Sequence, residues 1–498
     1  MAVRNYFGID FGTTNSAVVA ITEDNGERLT EPRRIGEDER HPLPSYVAID
    51  KTTGKIRTGL DARKTISGSD QYQVFSSIKT VIDENKEWKI AGHVWTPVDI
   101  AAELFKALKD NVQSKTAGMM KMEEAVIAVP VGFSSEKKNC VRKAAKKAGI
   151  ITKMFVSEPT AAYCSRRNDL KKYKNVAVFD WGGGTLDVVV LRIDSDTITE
   201  LSSSGMPLAG NDIDQKLAEK ICLRVAKKTG QNFSYDDLSP EYQLRLRSAC
   251  EQAKCNLADE EVATIQMARL GQFGRVLEKV DYDYFSLLIE NEVKSAMECL
   301  LQSLADAGMN RETVDCIICE GGSSRLRPLQ EAMLQYFEKE QLLFPRTAMW
   351  DIASGAAEVS SKEGSYALSR PLGIIQANGR FFPLLRAGQR VPTEQKTVRF
   401  AVSENTGEAR FVFSDGESEQ EQTFLEYFPV KLKRLKDGKG FSDESLEVSC
   451  YVDDDMVFRL KVHSNRMPDD VFRVWTYSQL TVVYRLEPAR QDEVVITG

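Results

Sequence analysis

Histidine is nearly missing from this chain: 498 residues hold three, His41, His93 and His463. That scarcity excludes a histidine-based triad and a poly-histidine metal centre, since both need several converging imidazoles. No window approaches about 18 uninterrupted apolar residues, so no membrane span is expected. The opening MAVRNYFGIDFG lacks a charged-then-apolar leader, and no signal peptide is read there. Nine cysteines fall without regular spacing, the pattern of free thiols in a reducing cytoplasm. Acidic residues outnumber basic ones, 73 to 66, for a net charge of −7. A general nucleic-acid binder is disfavoured by that balance, because neutralising a phosphate backbone takes clustered positive charge. Neither GxxxxGK[ST] nor GxGxxG occurs, so the two common helix-based phosphate grips are absent.

What remains is a globular composition, 42% hydrophobic and 28% charged, long enough for several buried cores. Up to about residue 360 apolar strand-like runs alternate with amphipathic helical ones, an α/β pattern. Strands are expected at Tyr6–Ile9, Ala17–Ile21, Ala125–Pro130, Val176–Asp180, Val188–Ile193 and Val314–Cys319. Helices are expected at 97–114, with Thr96 as cap and Pro97 first, at 135–148, and at 283–307 before Gly308. The cations of the second helix (Lys137, Lys138, Arg142, Lys143, Lys146, Lys147) read as a solvated face rather than a nucleic-acid patch. After about Lys362, period-two segments at 397–403, 409–414, 446–453, 456–463 and 471–486 indicate an antiparallel β-sandwich. Asp453-Asp-Asp455 reads as the turn between two of those strands, and the polar SSKEGSYALSRPLG as a linker.

One internal repeat carries the chemistry. Residues 6–20 read YFGIDFGTTNSAVVA and residues 176–190 read VAVFDWGGGTLDVVV, which aligns Asp10 with Asp180 and Gly12 with Gly182. Each unit is a strand ending in Asp, a small-residue turn and a returning strand, which suggests two similar lobes. Turns of Gly and Thr let backbone amides approach an anion. Two facing tips would grip a polyphosphate while their carboxylates hold Mg²⁺ through water. A third glycine site, Glu320-Gly-Gly-Ser-Ser-Arg325, offers a platform for a nucleoside. The CxxC of Cys316 and Cys319 reads as core packing, not a metal or redox site.

The chain resembles the seventy-kilodalton heat-shock chaperone (DnaK-like) family of the actin and sugar-kinase ATPase superfamily. The resemblance is carried by GIDFGTTNS (8–16), SIKTVI (77–82), VIAVPVGF (126–133), EPTAAY (158–163), DWGGGTLDVVV (180–190), AGNDID (209–214) and EGGSSRLRP (320–328), in order. It implies an actin-like ATPase over 1–360 (lobe I 1–175, lobe II 176–360), a linker at 361–371 and a β-sandwich substrate domain at 372–498 without a helical lid. It further implies that Gly12, Thr13, Thr14 and Asn15 line one phosphate loop and Gly182, Gly183, Gly184 and Thr185 the other. Asp10, Asp180 and Asp187 would organise Mg²⁺, its waters and potassium; Lys79 would reach the γ-phosphate and Glu158 support the attacking water. Asp10, Lys79, Glu158, Asp180, Thr185 and Asp187 are thus the implied catalytic set. Gly210, Glu251, Lys254, Gly321, Gly322, Ser323 and Arg325 would hold the nucleoside, and Pro130 with Lys138 would relay between domains.

Several positions depart from that pattern. Cys255 and Ala258 stand beside Lys254 on the ribose side, and Met349 stands where the family places an acid. SYALSRPLG lacks the family's acid-plus-leucine run, which bears on J-domain and nucleotide-exchange partners. Two function classes therefore fit: an ATP-hydrolysing chaperone that binds extended apolar peptides, or a slow regulatory relative with ATP as a structural ligand. The intact acidic and lysine positions favour the first.

Overall fold

The computed structural model describes residues 3–67, 71–194, 197–362, 365–402, 407–416, 425–432, 444–464, 467–477 and 480–485. It forms two compact units. One comprises 1–132, 136–190 and 204–361; the other comprises 133–135, 191–203 and 362–498.

The first unit contains two sheets built on one plan. In one, Ile151–Ser157, Glu124–Val129 and Arg4–Phe11 lie side by side and parallel, and Asn15–Asp24 returns antiparallel beside the last. In the other, Leu342–Leu343, Cys316–Glu320 and Asn175–Trp181 are parallel neighbours, with Leu186–Asp194 next in order. The repeat at Asp10 and Asp180 thus heads equivalent strands. These central strands are near-continuous apolar runs because both faces are covered: Val176, Ala177, Val178 and Phe179 are fully buried. Both aspartates stand at the carboxyl ends of their strands, where open α/β sheets present their ligand sites.

Helices follow local chemistry. Pro97–Lys115 begins with a capping box in which Thr96 and Asp99 satisfy each other's backbone amides. The long helix expected at 283–307 is instead two, Tyr282–Leu288 and Glu290–Asp306. Fully buried Ile289, at φ −104° and ψ 11°, separates them. No Gly or Pro marks that break, so periodicity runs straight through it. The cations of Ser135–Lys147 are not simply a solvated face. Lys138 is buried, Arg142 donates to the Thr152 carbonyl, and Lys147 meets Asp99 at 2.9 Å, tying the helix to its neighbours. Ala348–Ser361 packs on Glu158–Arg166 so closely that a Cβ at Gly355 would stand 1.6 Å from the Ala161 carbonyl oxygen. Cys316 and Cys319 are buried free thiols of a core strand. Among the described residues, no helix is long and apolar enough to cross a membrane.

The second unit holds two four-stranded antiparallel sheets. One orders Phe381–Leu385, Leu372–Ile375, Glu408–Ser414 and Leu425–Lys431; the other orders Lys396–Ala401, Ser445–Val452, Phe458–Ser464 and Met467–Tyr477. Aromatic rings join them: Phe413 lies 5.2 Å from Phe458 and 4.4 Å from Trp475 between centroids. Asp453 closes its turn by accepting from the amides of Asp455 and Val457.

The 361–371 stretch is more than a linker. Ser365–Leu368 is a strand, paired with Val482–Arg485 and with Arg390–Val391. Val482–Arg485 also pairs with Thr197–Thr199, so 191–203, assigned to lobe II on sequence, belongs to this unit. Four residues are too few for period-two alternation to show, and the longer of their partners, Val482–Arg485, lies more than a hundred positions away. Residues 403–406, 417–424, 433–443 and 486–498 lie outside the described residues, and with them the end of the chain for which no helical lid is expected.

Candidate functional site

A cleft of about 610 Å³ opens in the first unit. At one end stand Asp10, Lys79, Glu158 and Asp180 with the loops Gly12–Asn15 and Gly182–Thr185; at the other stand Glu251, Lys254, Gly321, Gly322, Ser323 and Arg325.

The two loops face each other. A Cβ on Gly183 would stand 2.3 Å from Thr14 Oγ1, and one on Gly184 would stand 2.5 Å from Thr13 Oγ1. Only glycine lets the second loop come this close to the first. Protein donors occupy the loop carbonyls: Ser45 Oγ donates to Gly12 O, Ser323 Oγ and the Gly210 amide to Gly182 O, and the Asn211 amide to Gly183 O. That arrangement turns a glycine loop's amides toward an anion.

Lys79 sits in the short turn Ile78–Val81, entered through Ser77 in left-handed conformation at φ 54°. Glu158 is the first residue of Glu158–Arg166, a helix capped by Ser157. Lys79 Nζ donates to Glu158 Oε1 at 2.5 Å, and both side chains are buried. Burial pulls the Lys79 ammonium down, but the carboxylates of Glu158 and Asp10 outweigh it and hold the lysine above its ordinary value. Burial, then the charge of Glu158, pushes Asp10 up to about 7 against the attraction of Lys79. Asp187 rises to about 7, first through burial and then through Glu158. Asp180 rises well above the usual carboxylate range, from burial and from Glu158, Asp187 and Asp10.

Four carboxylates around one lysine leave a surplus of negative charge that a cation would balance. One buried oxygen there, Asp187 Oδ2, has no hydrogen-bond partner among the described residues. The residues therefore fit a divalent ion. Among the described residues, no three acidic, cysteine or histidine side chains converge to ligate one directly. Mg²⁺ here would be held mainly through water and ligand oxygens.

At the far end, Lys254 Nζ donates to Asp214 Oδ2 at 2.8 Å and to the Gly210 carbonyl at 3.0 Å. Burial raises Asp214 to about 6 in spite of Lys254. Glu251 meets Arg63 at 3.4 Å. Cys255, Ala258 and Met349 line this end too.

Two residues expected in the nucleotide site, Asp187 and Gly210, are not on the cleft wall. Asp187 lies on the returning strand, 1% exposed, where the charges of Glu158 and Lys79 act on it; its Oδ1 accepts from the Val131 amide at 2.8 Å. Gly210 lies behind the second loop and supports it through its amide. Pro130 and Lys138 are buried beyond the cleft. Sequence reasoning assigned no role to Ser45, Asn211, Asp214 or Arg346. The AGNDID motif does contain Asn211 and Asp214, but their partners Ser77 and Lys254 are 134 and 40 positions away.

Residues 6–357, which span both sheets and the whole cleft wall, match the family model described as Hsp70 protein. With a two-lobed actin-like ATPase fold and a β-sandwich beyond it, this chain belongs to the Hsp70 family.

Proposed function

We propose that this chain hydrolyses ATP to ADP and phosphate in the cleft and couples the nucleotide cycle to holding extended apolar segments of unfolded proteins. Hsp70 proteins in general are ATP- and Mg²⁺-binding chaperones that act on unfolded polypeptides with co-chaperones. The observation that carries the reading for this member is the buried Lys79–Glu158 pair beside Asp10 and Asp180, under two facing glycine loops.

Phosphoryl transfer to water depends on positioned charge more than on a strong base. Gly12–Asn15 and Gly182–Thr185 would cradle the phosphates from opposite lobes. Lys79 would place a cation by the γ-phosphate and the attacking water, and Glu158 would fix the lysine and order that water. When bound, Mg²⁺ supplies charge neutralisation across the phosphate oxygens. Asp10, Asp180 and Asp187 would hold its waters, and the same acidic pocket suits potassium. Glu251 and Lys254 would meet the ribose, with Gly322, Ser323 and Arg325 across the base.

The β-sandwich would take extended clients by strand addition, and Pro130 and Lys138 would relay nucleotide state to it. J-domain and nucleotide-exchange proteins are the family's partners, and they would act here through a SYALSRPLG segment without the acid-plus-leucine run. Nine free cysteines support a reducing, cytoplasmic setting. The deciding experiment mixes the protein with one equivalent of Mg-ATP, with and without an extended apolar peptide. Peptide-accelerated hydrolysis is expected; a stable ATP complex indifferent to peptide would favour the regulatory relative.

A further inference from the structure

A second group of charges lies behind the cleft. Glu320 closes the strand Cys316–Glu320 and is 0% exposed; burial, then the neighbouring carboxylates of Asp351 and Asp180, holds it well above the usual carboxylate range. Arg166 Nε approaches Glu320 Oε1 to 4.0 Å. The same guanidinium donates to Asp351 Oδ2 at 2.6 Å and to Thr347 Oγ1 at 2.6 Å, and Thr347 donates to Asp351 Oδ1 at 2.8 Å. Asp351 is itself buried, 5% exposed, on the helix Ala348–Ser361.

Such a cluster is a poor way to hold a core together. Buried ionic triads are often matched or exceeded in stability by apolar residues of similar volume, and two carboxylates buried against each other call for another reason to be there. The three elements it joins supply one. Arg166 ends the helix that Glu158 begins. Asp351 and Thr347 flank Ala348 and Met349, which line the nucleoside end of the cleft. Glu320 precedes the cleft residues Gly321, Gly322 and Ser323 and pairs in register with Asp180.

We propose that Arg166 is a positioning residue for the nucleotide cleft: with Glu320 and Asp351 it locks the helix bearing Glu158 to the wall at the nucleoside end. The proposal rests on the reading of the cleft as an ATP site and reaches beyond it, to residues that do not line the cleft.

Two variants test it. Arg166→Met/Glu320→Val/Asp351→Ala removes all three charges and leaves none unpaired, with residue types suited to helix, strand and helix. Arg166→Lys keeps the charge but loses the planar fork. Thermal unfolding, ADP affinity, kcat and KM are read for both beside the unsubstituted protein. The triple variant is expected to unfold at or above the original temperature yet lose ~10-fold or more in kcat and in ADP affinity, since displacing reacting groups by about 1 Å costs up to ~100-fold. Arg166→Lys is expected to fall between the two. A merely structural cluster would not lower kcat in a protein of undiminished stability. A triple variant with unchanged kcat, KM and ADP affinity overturns the proposal and leaves the ATP reading intact. If the triple variant does not fold, Arg166→Lys decides: a lower kcat at unchanged stability supports the role, and unchanged kinetics overturn it. If the unsubstituted protein binds ADP without turnover, the affinity comparison decides alone. If it binds no nucleotide, the ATP reading falls and the proposal falls with it.

Discussion

Lys79 and Glu158 form a 2.5 Å ion pair, both side chains buried, between the two glycine loops of the cleft. Removing the charge of either partner leaves the other uncompensated in a site that already holds Asp10, Asp180 and Asp187. Glu158→Gln keeps an acceptor for Lys79 but removes the charge. It is expected to lower single-turnover hydrolysis by ~100-fold, the scale of losing one preorganised group, while ADP affinity changes by less than ~3-fold. Quench-flow and calorimetric titration measure the two quantities.

The adjacent glycines of the third loop are expected to behave differently. Gly321 has φ +79°, and a Cβ there would stand 2.4 Å from the Trp181 carbonyl oxygen and 2.6 Å from Asp180 Oδ1. A Cβ on Gly322 would meet nothing within 4 Å among the described residues outside its chain neighbours. Gly321→Ala is expected to lose ~2 kcal/mol or more of stability. Gly322→Ala is expected to unfold with the original midpoint and to change only nucleotide affinity. Urea unfolding of the two variants side by side distinguishes them.

Asp214 makes stability depend on pH. Its carboxyl titrates near 3.8 when unfolded and near 6 in the fold, raised by burial against the pull of Lys254. Between those values the folded chain holds the extra proton, so this contribution is full below about pH 4 and is lost as pH rises through 6. Relative to Asp214→Asn, the nucleotide-free protein should lose up to ~3 kcal/mol between pH 4 and pH 7. Parallel denaturant titrations of both proteins give the difference, and a flat difference across that range would reject the assignment.

In the β-sandwich, Phe413 is fully buried against Phe458, Trp475 and Tyr477. Phe413→Ala is expected to cost ~3–5 kcal/mol, seen by calorimetry as a lower unfolding temperature. Nucleotide affinity of the first unit is expected to hold.

Local chemistry was legible in the sequence; long-range chemistry was not. The Asp10 and Asp180 hairpins could be found because strand, turn and returning strand are contiguous, and the Thr96–Asp99 cap because its partners are three residues apart. Lys79 and Glu158 were recognised by resemblance, not by spacing, since no local rule joins positions 79 residues apart. Arg166, Glu320 and Asp351 stayed invisible for the same reason: each looks ordinary in its own helix or strand. Asp187 was found through its motif, but its second tie was not: its Oδ1 also accepts from the amide of Val131, 56 positions away. The strand Ser365–Leu368 was hidden because its identity comes from Val482–Arg485, more than a hundred residues downstream.

The most direct measurement is single-turnover hydrolysis of γ-labelled ATP with Mg²⁺, comparing the unsubstituted protein with Lys79→Ala after nucleotide binding by each has been established by titration. The expected result is first-order release of phosphate from the unsubstituted protein and intact, bound ATP on Lys79→Ala. Equal rates from the two proteins, or ATP left intact by both, would contradict an ATPase built on the Lys79–Glu158 pair.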